Sequence, residues 1–416
     1  MASTVGWLDT SPETQQRVRE LIALFSEKRT LDELGIGQIR DVFSDALFPG
    51  TSTIQTRARY LLLVPWAYLA PPKKWARTGS LQARADELQR DTIATLKEMA
   101  ENGEQHDGII GRRSGKGIGT LPSSIYWTAL LAYGLLQKDV PEGDLRGSRA
   151  TASESDELTE RTRGEWHPEL RRLMPEGFPH KLPAGLDLSR EEAIFLRERI
   201  SDSQRGTLLA GLVSATVPLD PGSVYPWTDS TVAAVVGEDD ANSGPRAMLI
   251  HAERFSRAIR GASLLYGAVL AEEKNRLLGS EADRLDTYVR SFEEWCDEMH
   301  QLGDLRDWDQ GEFWQFVQVR NPRVSLRTKA FVAQWFKAIV EGRVRGAIDD
   351  PELRAFVRDR EIQVKGSQAR LANPKRLSQW EGNPAQGLEF RWSTVKRIIT
   401  DIHEGILREG AADAES

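Results

Sequence analysis

The sequence predicts a mainly α, multi-helix globular protein with at most a few short strands near the C-terminus. Three observations carry that reading. Apolar residues recur at three- and four-residue steps along most of the chain. Capping and stop residues stand at the ends of those stretches. Strand-like alternation does not interleave with them, which excludes a parallel α/β sheet, and no fixed-period repeat suggests a solenoid.

Ser11-Pro12 reads as an N-cap followed by proline at N1, with Val18, Leu21, Ile22 and Phe25 on one face;. Ile36 to Leu47 forms a second helix, stopped by Pro49-Gly50. A third is expected from Thr53 to Leu69, with Pro65 inside it;. A basic turn, Pro71 to Arg77, precedes a helix from Leu81 to Ala100. A polar glycine-rich loop then runs from Asn102 to Gly119, and an aromatic-rich helix from Ile125 to Leu136. Residues 138–165 carry no periodic apolar face and read as a charged surface loop or linker between helical domains 1–137 and 166–416;.

Beyond that linker, Ser189-Arg190-Glu191-Glu192 is a capping box, and Leu208 to Val217 a short apolar helix;. Met248, Phe255, Ile259, Ala262, Tyr266 and Leu270 mark a long amphipathic helix;. Ser280 caps the next, with Tyr288, Phe292, Trp295 and Met299 on its face. Ser325 caps another, closed by Gly342 at C′;. Asp350-Pro351-Glu352 starts a helix through Leu353, Phe356 and Val357. Leu388 to Trp392 alternates like a strand before a final helix from Ser393 to Leu407.

Composition narrows the function classes. Hydrophobic residues are 40% and charged residues 28% of the 416, an ordinary globular balance;. No run approaches the length of a membrane span and the N-terminus lacks a signal pattern, so no membrane partner and a cytoplasmic location are expected. Cys296 is the single cysteine, which excludes an intrachain disulfide and a cysteine-based zinc site;. The net charge of −7 argues against a uniformly basic coat but leaves room for local patches;.

No motif assigns a reaction. The glycine-rich loop, with Arg112, Arg113 and Lys116, can touch an anion through freed amides and positive charge;. It fails as a P-loop, because three residues rather than four separate Gly111 from Gly115;. His106-Asp107 lacks the upstream histidine that a metal phosphohydrolase needs. No histidine pair has zincin spacing and no serine elbow is present. Asp350, Gln363 and Lys365 match the residue types of a restriction-type nuclease core only if they lie on paired strands. No cofactor or metal is implied.

The strongest anomaly is charge. Residues 354–397 hold ten basic side chains and four acids, with Trp380 and Trp392 interleaved. Cations with aromatics suit a phosphate backbone and unstacked bases. The first candidates are Lys365, Arg370, Lys375, Arg376 and Arg391. A second basic region, residues 57–116, contributes Arg57, Arg59, Lys73 and Lys74.

Several stretches resemble an uncharacterised bacterial family labelled only as a domain of unknown function. They are Gly6-Trp7-Leu8-Asp9, Gln55-Thr56-Arg57-Ala58-Arg59-Tyr60, Val64-Pro65-Trp66, Leu121 to Trp127, Leu388 to Trp392 and Asp401-Ile402-His403. The resemblance covers the whole length. It implies a gene context like phage-defence islands, beside helicase and phospholipase-D-like genes, and no catalytic residue. The resulting expectation is a non-catalytic helical adaptor that binds DNA or RNA and a helicase or nuclease partner. The alternatives are a metal-dependent nuclease or phosphodiesterase and a protein–protein scaffold.

Overall fold

A computed structural model describes residues 32–70, 81–103, 107–136, 166–237, 244–279, 282–302, 305–382 and 386–408. The helix expected after Ser11-Pro12, the basic turn 71–77 and the 138–165 segment lie outside them. In chain order the helices are α1 (Gly37–Leu47), α2 (Tyr60–Leu69), α3 (Leu81–Glu101), α4 (Pro122–Ala132) and α5 (Glu169–Arg172). Next come α6 (Arg190–Ser203), α7 (Leu208–Ser214), α8 (Ser230–Val236), α9 (Gly244–Leu278) and α10 (Ala282–Leu302). The chain closes with α11 (Gln310–Arg320), α12 (Leu326–Val340), α13 (Pro351–Lys365), α14 (Pro374–Ser378) and α15 (Trp392–Leu407). The mainly α expectation holds. Among the described residues the only ladder contact is one antiparallel bridge, Leu136 to Trp166.

The Ser189 and Ser325 capping signals work as the sequence implies, while the expected Ser280 cap lies outside the described residues. Ser189 and Glu192 exchange both bonds of a capping box at α6, and the Ser325 hydroxyl accepts the Thr328 amide at α12;. Two expectations change. The third helix starts at Tyr60, not Thr53, because Asp401 takes the Ala58 amide at 2.7 Å. Leu388 to Trp392 forms no strand: Phe390 and Arg391 take φ of +51° and +68° and turn the chain into α15;.

The 35-residue α9 is the spine, ~52 Å long at 1.5 Å per residue;. Helices α1, α10, α12, α13 and α14 all pack on it. Its approach to α10 is close because Gly261 and Gly267 face rings: a Cβ at either would overlap Trp295 or Tyr288. One apolar core runs continuously from Leu34 to Ile402. Helices α2 to α5 join it through Trp66, whose Nε1 donates to the Leu170 carbonyl at 2.8 Å. Among the described residues no helix is long and apolar enough to cross a membrane.

Helix α11 was not foreshadowed by periodicity. Aromatic stacking fixes it: Phe43 lies 5.7 Å from Phe313 and 5.0 Å from Phe316;. A buried polar pair pins the same corner. Trp308 Nε1 donates to His251 Nδ1 at 2.8 Å, so the neutral ring carries its proton on Nε2, which faces Glu312 at 3.7 Å;. Burial lowers the His251 pKa below its ordinary 6.5;. Burial likewise lowers His403, which meets the Leu212 carbonyl at 3.1 Å.

The unfolded chain therefore takes up protons as pH falls through 6.5 while the folded chain does not;. Stability is full above that pH and is lost as pH falls toward the lower folded values. Urea unfolding about one unit below that pH should show a lower midpoint than about one unit above it. His251→Asn, whose Oδ1 takes the place of Nδ1 and still accepts from Trp308, should recover part of the loss. An unchanged midpoint in the wild type would contradict the account.

Candidate nucleic-acid interface

The cations singled out in the sequence divide into those neutralised inside the fold and those left on its surface. Arg57, in the turn before α2, donates through Nε to both oxygens of Asp401 at 2.9 and 3.0 Å. Its Nη2 donates to Asp187 at 2.8 Å. Only 12% of its side chain and 6% of that of Asp401 is exposed. Burial opposes its charge, but the two carboxylates outweigh it and hold its pKa above the ordinary arginine value;. Arg59 is more deeply buried. It donates to Glu192 at 2.8 Å and to the Pro183 and Gly185 carbonyls.

The C-terminal basic segment is also largely paired within the fold. Arg370 pairs with Glu33. Arg391 donates to Asp45 and to the Thr51 carbonyl, each at 2.7 Å. Arg354 and Arg358 pair with Glu272 and Glu273. Lys365 is half-buried at the end of α13. Trp380 and Trp392 are core side chains, 8% and 0% exposed, and offer no face to a base. Four of the candidates remain outside. Arg112 and Arg113 are exposed on the glycine-rich loop, Lys375 and Arg376 on the first turn of α14. Arg376 donates to Gln368 at 2.5 Å. Lys73, Lys74 and the side chain of Lys116 lie outside the described residues.

The nuclease constellation does not converge. Asp350 caps the start of α13, accepting the Glu352 and Leu353 amides, and pairs with Arg343 at 3.3 Å. Gln363 accepts from Arg360 near the far end, and Lys365 is the last residue. At 1.5 Å per residue, Asp350 and Lys365 are ~22 Å apart along the helix. Among the described residues no group of three or more His, Cys, Asp or Glu side chains could hold a metal ion.

The structure exposes a cationic surface that sequence counting over longer windows passed by. Residues 313–340 contain no acid and five cations: Arg320, Arg323, Arg327, Lys329 and Lys337. They span α11, the turn 321–325 and α12. Arg320, Arg323 and Arg327 are exposed, and among the described residues none of them pairs with a carboxylate. The Arg320 guanidinium lies 3.7 Å from the Phe316 ring centroid;. Beside the cations, Val319 and Leu326 are 74% and 81% exposed.

Helix α12 turns a single stripe outward: Leu326, Arg327, Ala330, Ala333, Gln334 and Lys337;. Its inner face, with Phe331, Trp335 and Phe336, is buried. Contacts carry this surface toward α13. Arg360 bonds Thr328 of α12 at 2.9 Å and the Leu34 carbonyl at 2.8 Å, bracing the first turn of α12 against the middle of α13.

A family model matches residues 2–405, nearly the whole chain. The chain belongs to that family of unknown function, DUF6361. Comparison with the curated proteins and with the solved structures gave no match.

In this DUF6361 member, Arg57 is a structural residue. Arg57→Ala leaves Asp401 buried without its cation and should destabilise the fold by about 3–5 kcal/mol. Arg112→Ala, at an exposed site, should change stability by less than about 0.5 kcal/mol. Urea denaturation of both variants checks the contrast; equal stabilities would refute it.

Proposed function

We propose that this protein is a non-catalytic helical adaptor that binds duplex DNA through the α11–α12 surface and a partner protein elsewhere. The observation that carries the reading is the acid-free cation cluster of residues 313–340 on a chain of net charge −7, in which Arg320, Arg323 and Arg327 pair with no carboxylate among the described residues while Lys337 meets Glu341 at 3.7 Å. Exposed guanidinium groups neutralise phosphates and release counterions, which gives sequence-independent affinity. The start of α12 adds amides and the positive end of its dipole to the same surface.

The stripe on α12 favours a duplex over a single strand. Binders of single strands stack bases on exposed aromatic rings, and this stripe has none;. Ala330 and Ala333 allow close approach, and Gln334, Arg327 and Leu326 are side chains that read adenine, guanine and the thymine methyl group in the major groove of DNA. The major groove of RNA is too deep and narrow for such a helix. The gene context implied by the resemblance, a phage-defence-like cluster, fits an accessory role beside a helicase or nuclease. The exposed Val319 and Leu326 also support a protein-scaffold reading;.

Arg320→Ala, Arg323→Ala and Arg327→Ala combined should weaken retention of duplex DNA and flatten its salt dependence by about 1 in slope per lost phosphate contact. Fluorescence anisotropy with duplex DNA, single-stranded DNA and duplex RNA measures this. Lys375→Ala with Arg376→Ala should have the smaller effect. No binding of any nucleic acid by the wild type at low salt would leave the scaffold reading in its place. Equal affinity in the triple variant would remove this surface from the model.

A further inference from the structure

A second surface feature lies at the other end of α12. A cleft of about 340 Å³ opens between α10, the end of α12 and the turn that follows it. That volume falls in the range of small-molecule sites, about 300–1,000 Å³. Its floor is apolar and buried: Met299, Leu305 and Val344 are 8%, 5% and 5% exposed. Its rim is cationic or protonatable, with Arg306, Arg345 and His300 all exposed. Among the described residues no carboxylate and no phenyl, phenol or indole ring lines it.

We propose that this cleft binds a medium-length aliphatic carboxylate, its chain on the Met299–Leu305–Val344 floor and its head group between Arg306 and Arg345. The lining chemistry selects each part of that ligand. A floor without rings offers van der Waals contact to a flexible chain rather than stacking to a planar one. A rim with two guanidinium groups, whose acidic neighbour Asp297 is a solvent-exposed carboxylate, selects an anion, and a planar carboxylate matches the guanidinium fork;. Arg345 is held only weakly by another group. Its nearest acid, Asp297, stands 3.7 Å away with 72% of its side chain exposed, a weak surface pair;. Arg306 has no carboxylate partner among the described residues.

Cys296 belongs to the floor and not to the chemistry. Its Sγ meets the Val344 carbonyl at 3.6 Å, and burial pushes its pKa up to about 12, so it stays a thiol;. The cleft is therefore a binding site without a nucleophile. Gly342, with φ of +74°, lets the chain leave α12 sharply and set Arg345 at the rim;.

Calorimetric titration of the full chain with decanoate, below its micelle concentration, tests the proposal. Saturable one-to-one binding is expected. Decanol, which lacks the charge, should bind at least about tenfold more weakly, as should decanoate to the Arg306→Ala/Arg345→Ala variant. Val340→Glu, which sets a like charge at the mouth, should abolish binding. All three positions are on the surface, and circular dichroism should report an unchanged fold. Absence of decanoate binding overturns the proposal. Equal binding of decanol, or undiminished binding to the double variant, also overturns it, because both signal unspecific partition. Retention on phosphatidylglycerol vesicles without decanoate binding overturns it in favour of a bilayer surface. None of these results depends on DNA binding.

Discussion

A guanidinium taken out of water must find acceptors, and that requirement ties distant parts of this chain together. Arg57 reaches Asp401 across 344 positions and Arg391 reaches Asp45 across 346. Arg360 reaches the Leu34 carbonyl across 326. Each such bond clamps the segment before α3 to the last third of the chain. The net worth of any one pair is small, since desolvation offsets most of the Coulomb gain. Their weight lies in specificity: any packing that separated these partners would leave a buried charge alone, which costs several kcal/mol. The same demand fixes local structure, since Asp401 also takes the Ala58 amide and so sets where α2 begins.

The aromatic residues answer a second demand, that of filling a large core. Trp66, Trp166, Trp295, Trp335 and Trp392 are among the largest fully buried side chains. Their indole N–H groups are mostly satisfied from within: Trp295 donates to the Arg257 carbonyl and Trp335 to the Ala258 carbonyl, both on the α9 spine. Such rings are committed to α9 and unavailable to bases. This alters what the tryptophans say about function. Interleaved with arginines they suggest a stacking surface in the sequence; inside the fold they and the paired arginines are structural together.

Elements were legible where local chemistry decides them. The Ser189 capping box, the Ser325 cap, the Gly342 stop and the α9 periodicity need only neighbours within a turn or two. Helix α11 was not legible, because Phe313, Trp314, Phe316, Val317 and Val319 place apolar residues all around it and leave no amphipathic signature. Phe43 and Phe255, far away in sequence, hold it in place. The alternation at Leu388 to Trp392 misled for the converse reason. Period two reports which side chains are buried, and a turn with two left-handed residues can bury Phe390 and Trp392 as a strand would.

The candidate site was less legible than the fold, and the reason is electrostatic. Counting cations along a segment measures charge in sequence, whereas a polyanion meets charge in space after internal pairing. In residues 354–397 the carboxylates that neutralise Arg354, Arg358, Arg370 and Arg391 come from Glu272, Glu273, Glu33 and Asp45, all outside the counted window. A signal was nonetheless available. A stretch with no acid of its own, such as 313–340, starts without local partners, and when its cations fall on a helix face opposite the buried rings, distant carboxylates have little access to them. Absence of acids over a helix–turn–helix length is thus a better guide to free positive surface than an excess of bases.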